Sequence, residues 1–179
     1  MKFVPTYKLL CWFGIVFLPV SILIALVPTA TVPGLGMAIV VVLVAIADAV
    51  ISRDRLAGIR VTLPEVIRLS VGREADLTLS IENQDLRVKR LRLGLAFPSG
   101  IYSPHHDRVT HLPQEIPDSF LIWPFKALKM GLYLLQNCYL ETSSCFGFWS
   151  LRRAQELQSQ IRVYPDLLRA VSYTHLTLP

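Results

Sequence analysis

Between Leu9 and Ala47 the chain carries no Asp, Glu, Lys, Arg or His. A polypeptide of 179 residues is too small to wrap so long an apolar run and keep water from all of it, so lipid is its expected solvent. Leu9 to Val27 as a helix reaches about 28 Å at 1.5 Å per residue, close to the roughly 30 Å of bilayer hydrocarbon. The segment Pro28-Thr29-Ala30-Thr31-Val32-Pro33 breaks helical continuity, and Gly34 to Ile51 is long enough to cross back. A helical hairpin satisfies every backbone hydrogen bond internally where no water is available. Pro19 falls inside the first span and should kink it, which membrane helices tolerate.

The flanking charges orient the hairpin. Lys2 and Lys8 precede the first span, Arg53, Arg55 and Arg60 follow the second, and the turn carries no charge, so both ends are expected in the cytoplasm. A cleaved signal peptide fits poorly: the apolar core exceeds the usual length of about 7 to 15 residues, Pro28 stands where a small residue is wanted, and a second span follows at once. Asp48 lies in the last turn of the second span. One reading makes it an intramembrane carboxylate that binds an ion or pairs with a partner helix. The expected reading is an interfacial residue at headgroup level, with Arg55 seven residues on, because charge costs far less there.

The net charge of +5 suits a region near an anionic leaflet and is too scattered for nucleic acid. Cys11, Cys138 and Cys145 form no disulfide framework, in keeping with a reducing compartment.

Beyond Ser52 the pattern changes to alternation. Ile59, Val61 and Leu63, then Ile67, Leu69 and Val71, then Ala75, Leu77, Leu79 and Ile81, then Leu91, Leu93, Leu95 and Phe97 each alternate with polar or small residues, the signature of half-buried strands. Gly72-Arg73 stands at hairpin spacing between the second and third. Residues 98 to 118, with four prolines, read as an irregular connection holding one short strand near Arg108 to Leu112. Phe120–Trp123, Leu132–Leu140 and Ile161–Tyr164 are further strands, and Ala154–Gln160 offers one helical turn. The expected fold class is a membrane α-helical hairpin followed by an all-β, immunoglobulin-like sandwich. The expected divisions are residues 1–8 as a cytoplasmic N-terminus, 9–51 as the hairpin, 52–57 as a linker, 58–168 as a cytoplasmic β-rich domain, and 169–179 as an atypical tail.

No residue set emerges as catalytic, cofactor-binding or metal-binding. His105, His106, Asp107 and His111 are ligand types, but adjacent positions in a proline-rich loop lack the spacing that orients them on one ion. Cys145, between Ser144 and Phe146, reads as a small buried hydrophobe. Arg87, Lys89, Arg90 and Arg92 read as the solvated face of a strand whose other face is Leu91, Leu93 and Leu95. Gly147, between two phenylalanines, suits a tight turn.

Taken together, Ala47-Asp48-Ala49, Leu69-Ser70-Val71-Gly72, Leu79-Ser80-Ile81-Glu82-Asn83, Gly131-Leu132-Tyr133, Thr142-Ser143-Ser144-Cys145-Phe146-Gly147-Phe148-Trp149 and Ile161-Arg162-Val163-Tyr164-Pro165 resemble the N-terminal part of the bacterial domain of unknown function 58 family. The chain departs from the family pattern at Lys129-Met130 before Gly131 and at Cys145 before Phe146. The family's namesake motif and its von Willebrand factor A-like domain do not follow, and Val171 to Pro179 reads as the tail of a truncated frame. The resemblance implies a multi-pass protein of the bacterial inner membrane with its soluble region in the cytoplasm. It implies a non-enzymatic scaffold or assembly module, with the lipid bilayer and a MoxR-type AAA ATPase as partners and no small-molecule ligand identified. The alternatives are an extracytoplasmic binding or adhesion module with inverted topology, and a membrane-bound cysteine hydrolase using Cys145.

Overall fold

A computed structural model describes residues 1–165; the expectations for 169–179 lie outside the described residues. Two apolar helices are followed by an all-β region. In chain order the elements are β1 (Lys2–Pro5), α1 (Tyr7–Leu26), a 3-10 turn (Pro28–Ala30), α2 (Thr31–Ser52), β2 (Ile59–Thr62), β3 (Val66–Ser70), β4 (Glu74–Asn83), β5 (Arg90–Leu95), β6 (Ile101–Tyr102), β7 (Asp107–His111), β8 (Asp118–Ala127), β9 (Gly131–Ser143) and β10 (Trp149–Tyr164). They fall into two compact units: Met1–Gly58 with Glu141–Arg153, and Ile59–Leu140 with the residues from Ala154 on. One division falls after Gly58, and Glu141–Arg153 groups with the helices.

In the first unit, α1 and α2 are long and apolar enough to cross a membrane. The break between them is shorter than the sequence suggested. Pro33 is absorbed into the first turn of α2, where a missing N–H costs nothing because it would have no helical acceptor. The helices approach closely at Gly34, where a Cβ would stand 2.9 Å from Ile24 Cδ1 and 3.1 Å from Val20 Cγ1; a small residue at the crossing permits this. Phe13 and Phe17, one turn apart on α1, stack at 5.0 Å. Ahead of α1, β1 pairs antiparallel with the start of β10, Phe3 opposite Leu151 and Pro5 opposite Trp149.

In the second unit, one sheet has the order β2-β4-β8-β6, and the other contains β10, β9, β5 and β7 in that order, with β3 parallel to β10. β2, β4, β5, β8 and the second half of β10 bury alternate residues, while β9 changes phase between Leu135 and Cys138. Leu77, Leu79 and Ile81 of β4 and Trp123 and Phe125 of β8 supply one inner face; Leu91 and Leu93 of β5, Leu135 and Leu140 of β9, and Ile161 and Val163 of β10 supply the other. The result is a β-sandwich. Phe97 packs on both Trp123 and Phe125, and the Trp123 indole N–H donates to Ser103 Oγ at 2.9 Å.

Three sequence expectations are corrected here. Gly72-Arg73 does not close a hairpin: β3 pairs with β10 and β4 pairs with β2 and β8. Gly72, at φ +79°, instead turns the chain from one sheet to the other, its N–H donating to Ala127 O. Ala154–Gln160 is strand, not helix, because its polar side chains bond the neighbouring backbone. Gln155 accepts from Val61 N–H at 3.1 Å and donates to Val61 O at 2.6 Å, and Ser159 donates to Pro64 O at 2.7 Å. The connection at 98 to 118 holds two short strands, β6 and β7, of which only β7 matches the expected segment.

Candidate functional site

Ala45, Asp48 and Ser52 are spaced three and four residues apart, which sets them on one face of α2, and all three are buried, Asp48 completely (0% exposed). Against this face, within the same unit, lies the turn from Ser144 to Phe148 that joins β9 to β10. The turn reverses at Gly147, whose φ of +80° is a conformation that costs an L-residue about 1–2 kcal/mol.

A turn of this kind leaves backbone N–H groups without ladder partners, and α2 supplies acceptors for them. Asp48 Oδ1 accepts from the Phe146 N–H at 3.1 Å and from the Ser52 hydroxyl at 3.4 Å. Asp48 Oδ2 accepts from the Ser144 hydroxyl at 2.6 Å. Ser52 Oγ in turn accepts from the Cys145 N–H at 3.0 Å, and Ser144 Oγ from the Trp149 N–H at 3.0 Å. The Trp149 indole N–H closes the set on Ala45 O at 2.8 Å. Within the turn, Ser144 N–H donates to Trp149 O and Gly147 N–H to Ser144 O. Further ties come from the Thr6 N–H to Phe148 O at 2.9 Å and from Arg55 Nη1 to Ser143 O at 3.2 Å.

Asp48 is therefore compensated by three hydrogen-bond donors rather than by a cation among the described residues. The Asp48 carboxylate is turned into the protein, where the turn and Ser52 supply its donors. Chemically the arrangement is a clasp that holds one backbone conformation. The sequence offered a signal for it, since an Asp and a Ser at i and i+4 near a helix end can serve a Ser-Ser-Cys-Phe-Gly turn.

The other candidates are placed as follows. Asp107 pairs with Arg92 across β5 and β7, His111 stands opposite Arg90 in the same ladder, and no three His, Cys, Asp or Glu side chains group as a metal site among the described residues. Cys145 is exposed, which corrects the expectation of a buried hydrophobe; the turn directs its backbone, not its thiol, inward. Cys138 of β9 is the buried cysteine, and burial pushes its thiol up from the ordinary 9.0 to about 12. Arg90 and Arg92 occupy exposed positions while Leu91, Leu93 and Leu95 are buried.

No family model matches the chain, and no curated protein matches it. Among solved structures, the third ScaB cohesin of R. flavefaciens, in complex with a group 1 dockerin, is similar with a TM-score of 0.38 and 9% identity, over 60% of this chain and 95% of that one.

Proposed function

We propose that this chain is a membrane-anchored, non-enzymatic module whose helical hairpin spans the bacterial inner membrane and holds an immunoglobulin-like β-sandwich at the cytoplasmic face, as in the domain of unknown function 58 family. The observation that carries the reading is the apolar surface of the two helices. Only 6% of the most apolar window of α1 and 17% of that of α2 is buried, whereas a core helix of a water-soluble protein hides most of its apolar side chains. Leu10, Leu18, Leu26 and Val32 are each more than 60% exposed. At roughly 1.5–3 kcal/mol for each large apolar side chain left in water, so many such residues on two helices need lipid.

The Asp48 clasp supports the same reading. Ala45 and Asp48 lie one to two turns before the end of α2 at Ser52, so the β9–β10 turn meets α2 from its last residue to roughly 10 Å inside that end. Irregular backbone at membrane depth is tolerated only where protein groups satisfy it, and Asp48, Ser52 and Ser144 do so here. β1, ahead of α1, pairs with the start of β10, and Trp149 there donates to Ala45 O near the end of α2, as a two-span hairpin with both ends on one side requires. Strand order supports the immunoglobulin-like reading, since β4 and β5, adjacent in sequence, join opposite sheets. By family resemblance the module positions a MoxR-type AAA ATPase at the membrane.

Topology is tested with single cysteines. In a Cys11→Ser, Cys145→Ser background, Thr29→Cys and Gln158→Cys, both at exposed positions, are probed on intact cells with an impermeant maleimide. Labelling at position 29 with protection at 158 is expected; the reverse pattern would establish the extracytoplasmic alternative.

A further inference from the structure

Beside the Asp48 clasp, α1 and α2 part to leave a cleft of about 240 Å³ lined by Leu9, Trp12, Val40, Val44, Ala45 and Phe148 among other apolar side chains. We propose that this cleft binds an anionic phospholipid, one acyl chain lying against Trp12 and Val44 and the headgroup phosphate meeting Lys8. The inference rests on the membrane-spanning reading and goes beyond it, because a spanning hairpin needs no lipid of any particular headgroup.

The position of one cation identifies the occupant. Lys8 precedes Trp12 by four residues, so on α1 it stands on the same face one turn nearer the helix start, which is the membrane-surface end. It directly precedes Leu9 of the cleft wall. Its Nζ lies 3.6 Å from where a Gly147 Cβ would be, and Gly147 directly precedes Phe148 of the opposite wall. The ammonium thus reaches from beside the α1 wall to the backbone beside Phe148 of the opposite wall. It is exposed and has no carboxylate partner among the described residues. The acidic groups of this unit are otherwise engaged: Asp48 by the turn, Asp54 by Arg53 at 3.7 Å, and Glu141 by the Ser150 hydroxyl at 2.6 Å and Arg152 at 3.2 Å. An apolar slot with a cation at its rim is complementary to an acyl chain carrying a phosphate. A zwitterionic lipid would bring its own cation beside Lys8, so an anionic headgroup is favoured.

Tryptophan quenching by brominated acyl chains tests this. The full chain is reconstituted in mixed phosphatidylcholine and phosphatidylglycerol vesicles, with bromine on one lipid or the other, and the Trp12 contribution is taken as the difference from Trp12→Phe. Per labelled molecule, phosphatidylglycerol should quench Trp12 about fivefold more effectively than phosphatidylcholine. Lys8→Gln should abolish the preference and Lys8→Arg should retain it. Equal quenching by the two lipids, or a preference that survives Lys8→Gln, overturns the proposal. So does protection of Trp12 from both lipids in a chain that runs as a dimer, which would assign the cleft to a second copy. A chain that fails to float with the vesicles at all removes the membrane reading and this proposal with it; one that floats without headgroup preference removes only the proposal.

Discussion

Replacing Asp48 by Ala removes the acceptor of three hydrogen bonds at once, to Ser144 Oγ, Phe146 N and Ser52 Oγ. The two hydroxyls can rotate to other acceptors, but the Phe146 N–H is fixed by the backbone and is left orphaned. A hydrogen bond to a charged acceptor contributes about 1.5–3 kcal/mol, and stranding a buried donor costs about 1–3 kcal/mol. Taking about 3 kcal/mol for local opening, amide exchange at Phe146 and Cys145 should accelerate roughly 150-fold. Asp48→Asn keeps one oxygen for Phe146 but points an amide N–H₂ at Ser144, which already accepts from Trp149; a loss of about 1.4 kcal/mol, near tenfold, is expected. Hydrogen exchange read by mass spectrometry on the micelle-bound chain resolves the peptide covering the turn from those covering β4 and β8. Unchanged protection of the turn in Asp48→Ala, or an acceleration spread evenly over all strands, would show that the carboxylate does not hold the turn.

Other substitutions probe the remaining contacts. Gly147→Ala forces an L-residue to φ +80° and should destabilise the turn by about 1–2 kcal/mol, read as a lowered Tm in detergent. Gly34→Leu drives a side chain into Ile24 and Val20 and should separate α1 from α2, read as lost cross-linking between cysteines placed on the two helices. A Cβ at Gly100 would fall 2.0 Å from Tyr133 Oη, so Gly100→Ala should cost about 1–3 kcal/mol, recovered in part when Tyr133→Ala empties the space. The thiols should differ in reactivity: at pH 8 iodoacetamide modifies Cys145 while Cys138, held up near pKa 12 and buried, reacts only on unfolding. Because folding raises the Cys138 pKa, the folded state keeps its proton between about 9 and 12 while the unfolded state loses it. That contribution to stability is intact below pH 9 and falls as pH rises through this window, measurable as an alkaline decline in Tm that Cys138→Ala reduces.

The helices and most strands were legible because each rests on a local period. An uncharged run of apolar residues admits few solutions, and Leu77-Leu79-Ile81 or Leu91-Leu93-Leu95 alternate whatever their partners. Pairing was less legible. Gly72-Arg73 has the spacing of a hairpin turn, yet the strands it joins enter different sheets, a choice made by distant β8 and β10 rather than by the turn. Ala154–Gln160 misled because its inward positions include Gln155 and Ser159, polar residues whose burial is acceptable only once Val61 and Pro64 provide bonding partners. The clasp was hidden for the same reason: Asp48 looks like a residue for the headgroup layer until the turn at 144 to 148, far along the chain, arrives with its unmatched N–H groups.

Alkaline carbonate extraction of membranes from cells expressing the chain, followed by flotation of the pellet, tests most directly whether lipid covers α1 and α2. The chain should stay with the floating bilayers after the wash and leave them only in detergent. Recovery in the carbonate supernatant, as a monodisperse species without detergent, would contradict the two-span anchor.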